Sequence, residues 1–153
     1  MAFTPISNMP AFGTDGQELN SGLTVYQPIG YVSDGSLKFG RFAFPVGETG
    51  DLKKAGIKKA GAKVLGLVAA NLAHQYQLED DHTVIPAGQN VAIAMRGEFW
   101  ITAPATATVG QAVLCDPATG GITFGEKGAA NDTGWAVLQG GNEGAMIIIS
   151  NRA

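Results

Sequence analysis

Apolar and polar residues alternate most strictly between residues 91 and 103. Val91, Ile93, Met95, Phe99, Ile101 and Ala103 take the odd positions. Ala92, Ala94, Arg96, Glu98, Trp100 and Thr102 take the even ones. Successive side chains in a strand point to opposite faces, so this pattern predicts one apolar face and one mixed face. Gly97 falls in phase on the apolar face. A glycine there predicts a bend, a bulge or close approach by another backbone. Val, Ile, Phe, Trp and Thr favour strands, and a period of two is wrong for a helix. The run reads as one long bent strand, or two short ones meeting at Gly97. A turn from Pro86 to Asn90 precedes it. Pro104 and the Val109-Gly110-Gln111 corner follow it.

The rest of the chain breaks into short pieces of the same kind. Leu23–Tyr26 reads as a strand, Ser33–Ser36 as a turn, and Leu37–Phe44 as an aromatic strand kinked at Gly40. Pro45–Gly50 reads as a loop. Val64–Ala70 is apolar with little alternation, as expected of a strand buried on both faces. Ala112–Cys115 and Ile122–Phe124 flank a hairpin signal at Asp116–Gly121. Residues 125–133 read as an exposed loop, Gly134–Leu138 as a strand, Gln139–Gly144 as a hairpin turn and Ala145–Ile149 as the closing strand. That closing run is apolar on both faces. It predicts cover from inside the domain and from something outside it. These elements predict an all-β protein, a small β-barrel or compact β-sandwich. A single β-rich domain covers residues 31–153, and an extended N-terminal arm covers residues 1–30.

Two stretches carry candidate contact residues. In the arm, Phe3, Pro5, Ile6, Met9 and Phe12 are apolar but follow neither period, while prolines and glycines rule out a long helix. An apolar segment without a period must lie on something, either its own domain or a neighbouring subunit. Residues 51–63, DLKKAGIKKAGAK, repeat KKAG at a five-residue interval and hold Lys53, Lys54, Lys58, Lys59 and Lys63. Those five are half of the ten Lys and Arg residues in the chain. Gly56 and Gly61 each cost a helix about 1 kcal/mol relative to Ala, so the stretch reads as a basic loop. It is either a solvated surface or a dock for an acidic one.

Composition narrows the function. The chain has 153 residues, 45% hydrophobic and 15% charged, with 22 glycines and 7 prolines. That is one turn-rich domain with a real core, and so few charges suit a surface covered by neighbours. A net charge of −3 gives no global pull toward nucleic acid or an anionic membrane, and no aromatic residues interleave with the lysines to stack bases. No run approaches the ~20 apolar residues of a membrane helix. The N-terminus lacks a basic n-region and an apolar h-region, so synthesis without export is expected. Cys115 is the single cysteine and reads as a small buried hydrophobe. His74, His82, Glu79, Asp80 and Asp81 lie close in sequence, but not at the spacing of a metal-binding helix. They read as an acidic loop that could pair with the basic one across a subunit boundary. No nucleophile elbow, P-loop or dinucleotide motif is present, so neither an enzyme nor a cofactor is expected.

The order of these signals resembles the structural cement or decoration proteins of tailed-bacteriophage heads. Four stretches carry the resemblance. They are the glycine-punctuated arm running into Leu37–Val46, the strand Val64–Ala70, the run from Ile85 through Asp116 to Thr123, and the closing Trp135–Leu138 with Ala145–Ile149. The DLKKAGIKKAGAK stretch departs from the family pattern. The resemblance implies a non-catalytic protein on the outer surface of an expanded head. It would contact the major capsid protein, often as a homotrimer, and be made in the host cytoplasm. Residues 84–116 also look like the hairpin of a biotinyl or lipoyl carrier domain, but no lysine lies between Lys63 and Lys127 to be modified. A glycan- or small-ligand-binding β-module is the alternative, with Trp100, Trp135, Tyr26, Tyr31 and Tyr76 as stacking platforms.

Overall fold

A computed structural model describes residues 15–19, 21–49, 52–70 and 84–151. A short 3-10 turn at Ser21–Leu23 leads into eleven strands. These are β1 (Val25–Tyr26), β2 (Tyr31–Ser33), β3 (Phe42–Thr49), β4 (Leu52–Gly56), β5 (Gly66–Val68), β6 (Asn90–Val91), β7 (Ile93–Thr102), β8 (Ala112–Cys115), β9 (Ile122–Gly125), β10 (Asp132–Gln139) and β11 (Met146–Asn151). They join in one sheet in the order β6-β2-β4-β3-β5-β7-β11-β10-β8-β9, and β1 pairs with β7 beside that path. The protein is all-β, as expected. Among the described residues the sheet is an open path, not a closed barrel, because no pairing joins β6 to β9.

The path folds round two cores. The larger gathers Phe42, Phe44, Leu67, Phe99, Ile101, Val113, Val137, Ile147 and Ile149 about Trp135. The Trp135 ring meets Phe42 edge-on at 6.1 Å and Phe99 at 5.9 Å. The smaller core holds Leu37, Ala43, Ala55, Val68, Ile85 and Ile93. Strands β3, β5 and β7 feed both cores, so they form a wall buried on each side. This is why Val64–Ala70 shows no alternation. It also corrects the expectation of a single apolar face on β7. Ile93 packs in the smaller core, whereas Phe99, Ile101 and Ala103 pack in the larger.

β7 is bonded along both edges. On one side lie β5 and residues 16–19; Gly16 N–H donates to the Trp100 carbonyl at 2.8 Å, and Leu19 N–H to the Glu98 carbonyl at 2.9 Å. On the other lie β11 and then β1, with Gln27 N–H donating to the Ile93 carbonyl at 2.8 Å. The segment from Gly16 to Gln27 therefore straps across β7, and the crossing falls at Gly97. A Cβ on Gly97 would stand 3.4 Å from the Thr24 Cα and 3.0 Å from the Thr24 Oγ1 and Phe99 Cε2. With φ at +141°, the position also favours glycine over any residue with a side chain. Close approach by another backbone is realised at Gly97, and the β1–β7 register shifts beside it, between Val25 and Tyr26.

Three elements differ from expectation, each for a local reason. Strand β3 begins at Phe42, not Leu37, and runs through Pro45 to Thr49, where a loop was expected. Ala43 and Pro45 face the same edge of β3. The Ala43 carbonyl accepts from Leu65 N–H there at 2.8 Å, and β5 reaches no further than Ala43. A residue without an N–H is harmless on that open edge. The basic stretch is not all loop, because Leu52–Gly56 forms β4, antiparallel to β3 and parallel to β2. The closing run needs no outside cover. Ile147 and Ile149 are fully buried and Ile148 is 7% exposed, all within this one chain.

The crossing gives a direct test. Gly97→Ala is expected to cost about 1–3 kcal/mol, seen as a lower thermal midpoint. Gly30→Ala, with nothing within 4 Å of the added Cβ, is expected to stay within about 0.5 kcal/mol. Equal midpoints for the two variants would remove the crossing as a stability determinant.

Candidate docking surface

The strap keeps Gln17, Glu18, Thr24 and Gln27 half-buried and leaves its large apolar residues exposed. Leu19, Leu23, Val25, Tyr26 and Ile29 are each 41–48% exposed. Single exposed apolar residues are ordinary, but five within eleven positions of one segment are a concentration, with Val25 and Tyr26 leaving opposite faces of β1. The strap holds its shape through Glu18, whose carboxylate accepts from the Thr24 hydroxyl and, at 3.4 Å, from the Tyr26 hydroxyl. Partial burial, then the nearby Glu18 charge and hydrogen bond, raise the Tyr26 pKa. Two further exposed apolar residues, Val109 and Leu138, lie away from the strap beside a groove of about 310 Å³ along β10.

The basic residues do not form one patch. Lys53 and Lys59 line a shallow groove of about 320 Å³ with Tyr31, Pro45, Val46 and Gly47. Lys54 is the next residue along β4, so its side chain leaves the opposite face. Lys58 is exposed, and Lys63 borders a different groove with Phe44, Cys115 and Pro117. The chain fixes this split after β4. Ile57 N–H donates to the Ser36 hydroxyl at 3.0 Å. The Ile57 carbonyl would be 2.5 Å from a Cβ on Gly120, so the β8–β9 turn packs against its backbone. Ala62 N–H then closes a turn onto the Lys59 carbonyl at 3.0 Å. Of the five lysines taken together from sequence, Lys53 and Lys59 thus share one groove, Lys54 leaves the opposite face of β4 and Lys63 borders another groove. The strap lies within the arm expected at residues 1–30, but the contact residues named there from sequence were Phe3, Pro5, Ile6, Met9 and Phe12 and not Leu19, Leu23, Val25 or Ile29. The arm candidates Phe3, Pro5, Ile6, Met9 and Phe12 lie outside the described residues, as do His74, His82 and the acids between them.

The aromatic platforms expected of a ligand-binding module fare unevenly. Trp135 is 2% exposed and belongs to the core. Trp100 is half-buried on β7, Tyr31 borders the lysine groove, and Tyr76 lies outside the described residues. Among the described residues, no group of three or more His, Cys, Asp or Glu side chains is placed to hold a metal ion. Nor is any described helix long and apolar enough to cross a membrane. Cys115 is buried, and burial pushes its thiol up to about 11, with Arg41 opposing and Asp116 adding slightly. A thiol held neutral in this way is a poor nucleophile.

An open all-β sheet whose exposed features are an apolar strap and separated lysines defines a structural module built for contact. Comparison with known families is specific. The chain matches the model of the structural cement protein family (E217 gp24/Pam3 gp6) over residues 4–151, and it belongs to that family. The family's members are phage capsid components with a structural role. A search of curated proteins finds no match.

Iodoacetamide at pH 8 is expected to leave Cys115 unmodified in the folded chain and to alkylate it in denaturant, as mass spectrometry would show. The raised thiol pKa also stabilises the fold fully below the unfolded value near 9, and that contribution is lost as pH rises toward about 11. Replacing Cys115 with Val is expected to flatten stability against pH between those two values.

Proposed function

We propose that this chain binds the outer surface of an expanded phage head and bridges neighbouring copies of the major capsid protein. It does so without catalysis, as a homotrimer made in the host cytoplasm. The observation that carries the reading is the strap. It leaves five apolar side chains partly in water, and a partner surface that covered them would remove that cost at roughly 25 cal/mol per Å². The N-terminal residues Phe3, Pro5, Ile6, Met9 and Phe12 precede the strap and extend the same apolar character. Docking that requires the expanded arrangement stabilises it by mass action, since a ligand of one state shifts the equilibrium toward that state. Three strap surfaces on one trimer would dissociate far more slowly than one.

Co-sedimentation with heads that lack the protein tests this. Saturable binding to expanded heads and not to immature shells is expected. The exposed pair Leu23→Ser and Val25→Thr is expected to weaken binding about tenfold or more while leaving the fold intact, and removal of residues 1–12 is expected to weaken it as well. Binding to neither form of the head would overturn the proposal. Undiminished binding by the strap variant would remove the strap from it.

A further inference from the structure

We infer that the outer limb of the strap, residues 22–30, is a latch that opens from β7 as a unit in the free protein and is held shut by docking. The role of docking rests on the function proposed above; the opening does not depend on it. The two limbs of the strap are attached in different ways. The inner limb is built into the sheet. Gly16 is buried, and a Cβ there would stand 2.8 Å from the Gly40 nitrogen, 2.9 Å from the Val68 carbonyl oxygen and 3.0 Å from the Ala70 nitrogen. Its N–H donates to the Trp100 carbonyl, and its carbonyl accepts from Ala70 N–H at 2.8 Å. Trp100 N–H donates to the Gln17 carbonyl at 2.9 Å. The outer limb has no such seat. Of its residues only Thr24 and Gln27 are half-buried, and Leu23, Val25, Tyr26 and Ile29 are exposed. None of them belongs to either core.

Polar contacts hold the outer limb down. The Thr24 and Tyr26 hydroxyls both donate to the Glu18 carboxylate, which clasps the outer limb to the inner one. Strand β1 gives the limb a pairing of only two residues with β7, and the register shifts between them. Gln27 rivets the far end. Its N–H donates to the Ile93 carbonyl at 2.8 Å and its Nε2 to the Leu65 carbonyl at 2.9 Å. Past Gln27 the chain is loosely packed, since a Cβ on Gly30 would meet nothing within 4 Å. Hydrogen bonds near the surface contribute little net free energy, because water replaces them when they break. Burial is what ties a segment to the global transition, and a segment with few buried apolar contacts opens well below the energy of global unfolding. Four of the five exposed apolar residues of the strap ride on this limb. A partner that covers them together needs them in the closed arrangement. Docking therefore selects the closed state, and the apparent affinity is lowered by the fraction of free chain that stands open.

Amide hydrogen exchange of the full chain, resolved by NMR, tests the latch. The reference amides are Trp100, bonded to Gln17 on the inner limb, and Val137, bonded to Gln111. After correction for intrinsic rates, the Gln27 amide is expected to exchange ~100-fold or more faster than either. Thr24→Val removes the clasp hydroxyl at nearly constant shape. It is expected to quicken Gln27 exchange further and to leave Val137 unchanged. Gln27 protected as strongly as Val137, or both quickened alike by Thr24→Val, overturns the latch. The coupling to docking is tested by letting exchange run on expanded heads, then releasing the chain and reading the same amides. Gln27 exchange is expected to slow about tenfold or more on the heads. Binding that leaves Gln27 exchanging as in the free chain overturns the coupling. Failure of wild type to bind overturns the docking function and the coupling with it, while the first measurement still decides the latch.

Discussion

Strand β7 has no free edge, and only Arg96 and Thr102 of its ten residues are exposed. Its two faces feed two different cores, and its two edges are bonded along their length, to β5 and residues 16–19 on one side and to β11 and β1 on the other. A strand enclosed in this way fixes the positions of everything around it. The strap can change edges only where β7 lacks a side chain, and Gly97 is that place. The crossing in turn brings Leu19, Leu23, Val25, Tyr26 and Ile29 onto the outside of the molecule. Core and surface are therefore consequences of one constraint.

The same enclosure explains the division of labour between residue types. Large aromatics concentrate in the larger core, where the Trp135 ring meets Phe42 edge to face and Phe99 at a tilt. The smaller core is built from Leu37, Ile85 and Ile93 with alanines and a valine, and it lies beneath the β2–β4 side of the sheet. Charges are few; β4 and its following turn carry the lysines at the margin of the sheet, while Glu98 is buried on β7. A protein that keeps so little charge and so much exposed apolar strap is suited to a covered surface, which accords with its membership of the structural cement family.

Much of this was legible in the sequence. The strict alternation from Val91 to Ala103 marked β7, and the phase of Gly97 pointed to a bend, a bulge or a close backbone approach, the last of which is the crossing. The unbroken apolar run at Val64–Ala70 marked a strand buried on both faces. What escaped has physical reasons. Pro45 reads as a strand breaker, yet it sits on an edge where no donor is needed. The lysines of β4 look like a loop because their strand is identified by pairing with β2 and β3, which no local pattern reveals. Ile147–Ile149 suggested an external partner because a sequence does not show that its own chain supplies both walls. The split of the lysines between faces depends on Ile57 being tied to Ser36 and packed on Gly120, contacts that are distant in sequence. The family resemblance was legible from the order of elements, and the family match over residues 4–151 bears it out.

On the proposed reading, the enclosed β7 is a rigid base that presents the strap to a capsid, and the stabilisation lies in the shell more than in the chain itself. Calorimetry of expanded heads, bare and saturated with the protein, tests that claim most directly. The account predicts a higher melting temperature for the saturated shell, rising with occupancy and lost when the strap is altered. A shell that melts at the same temperature with every site filled would contradict it.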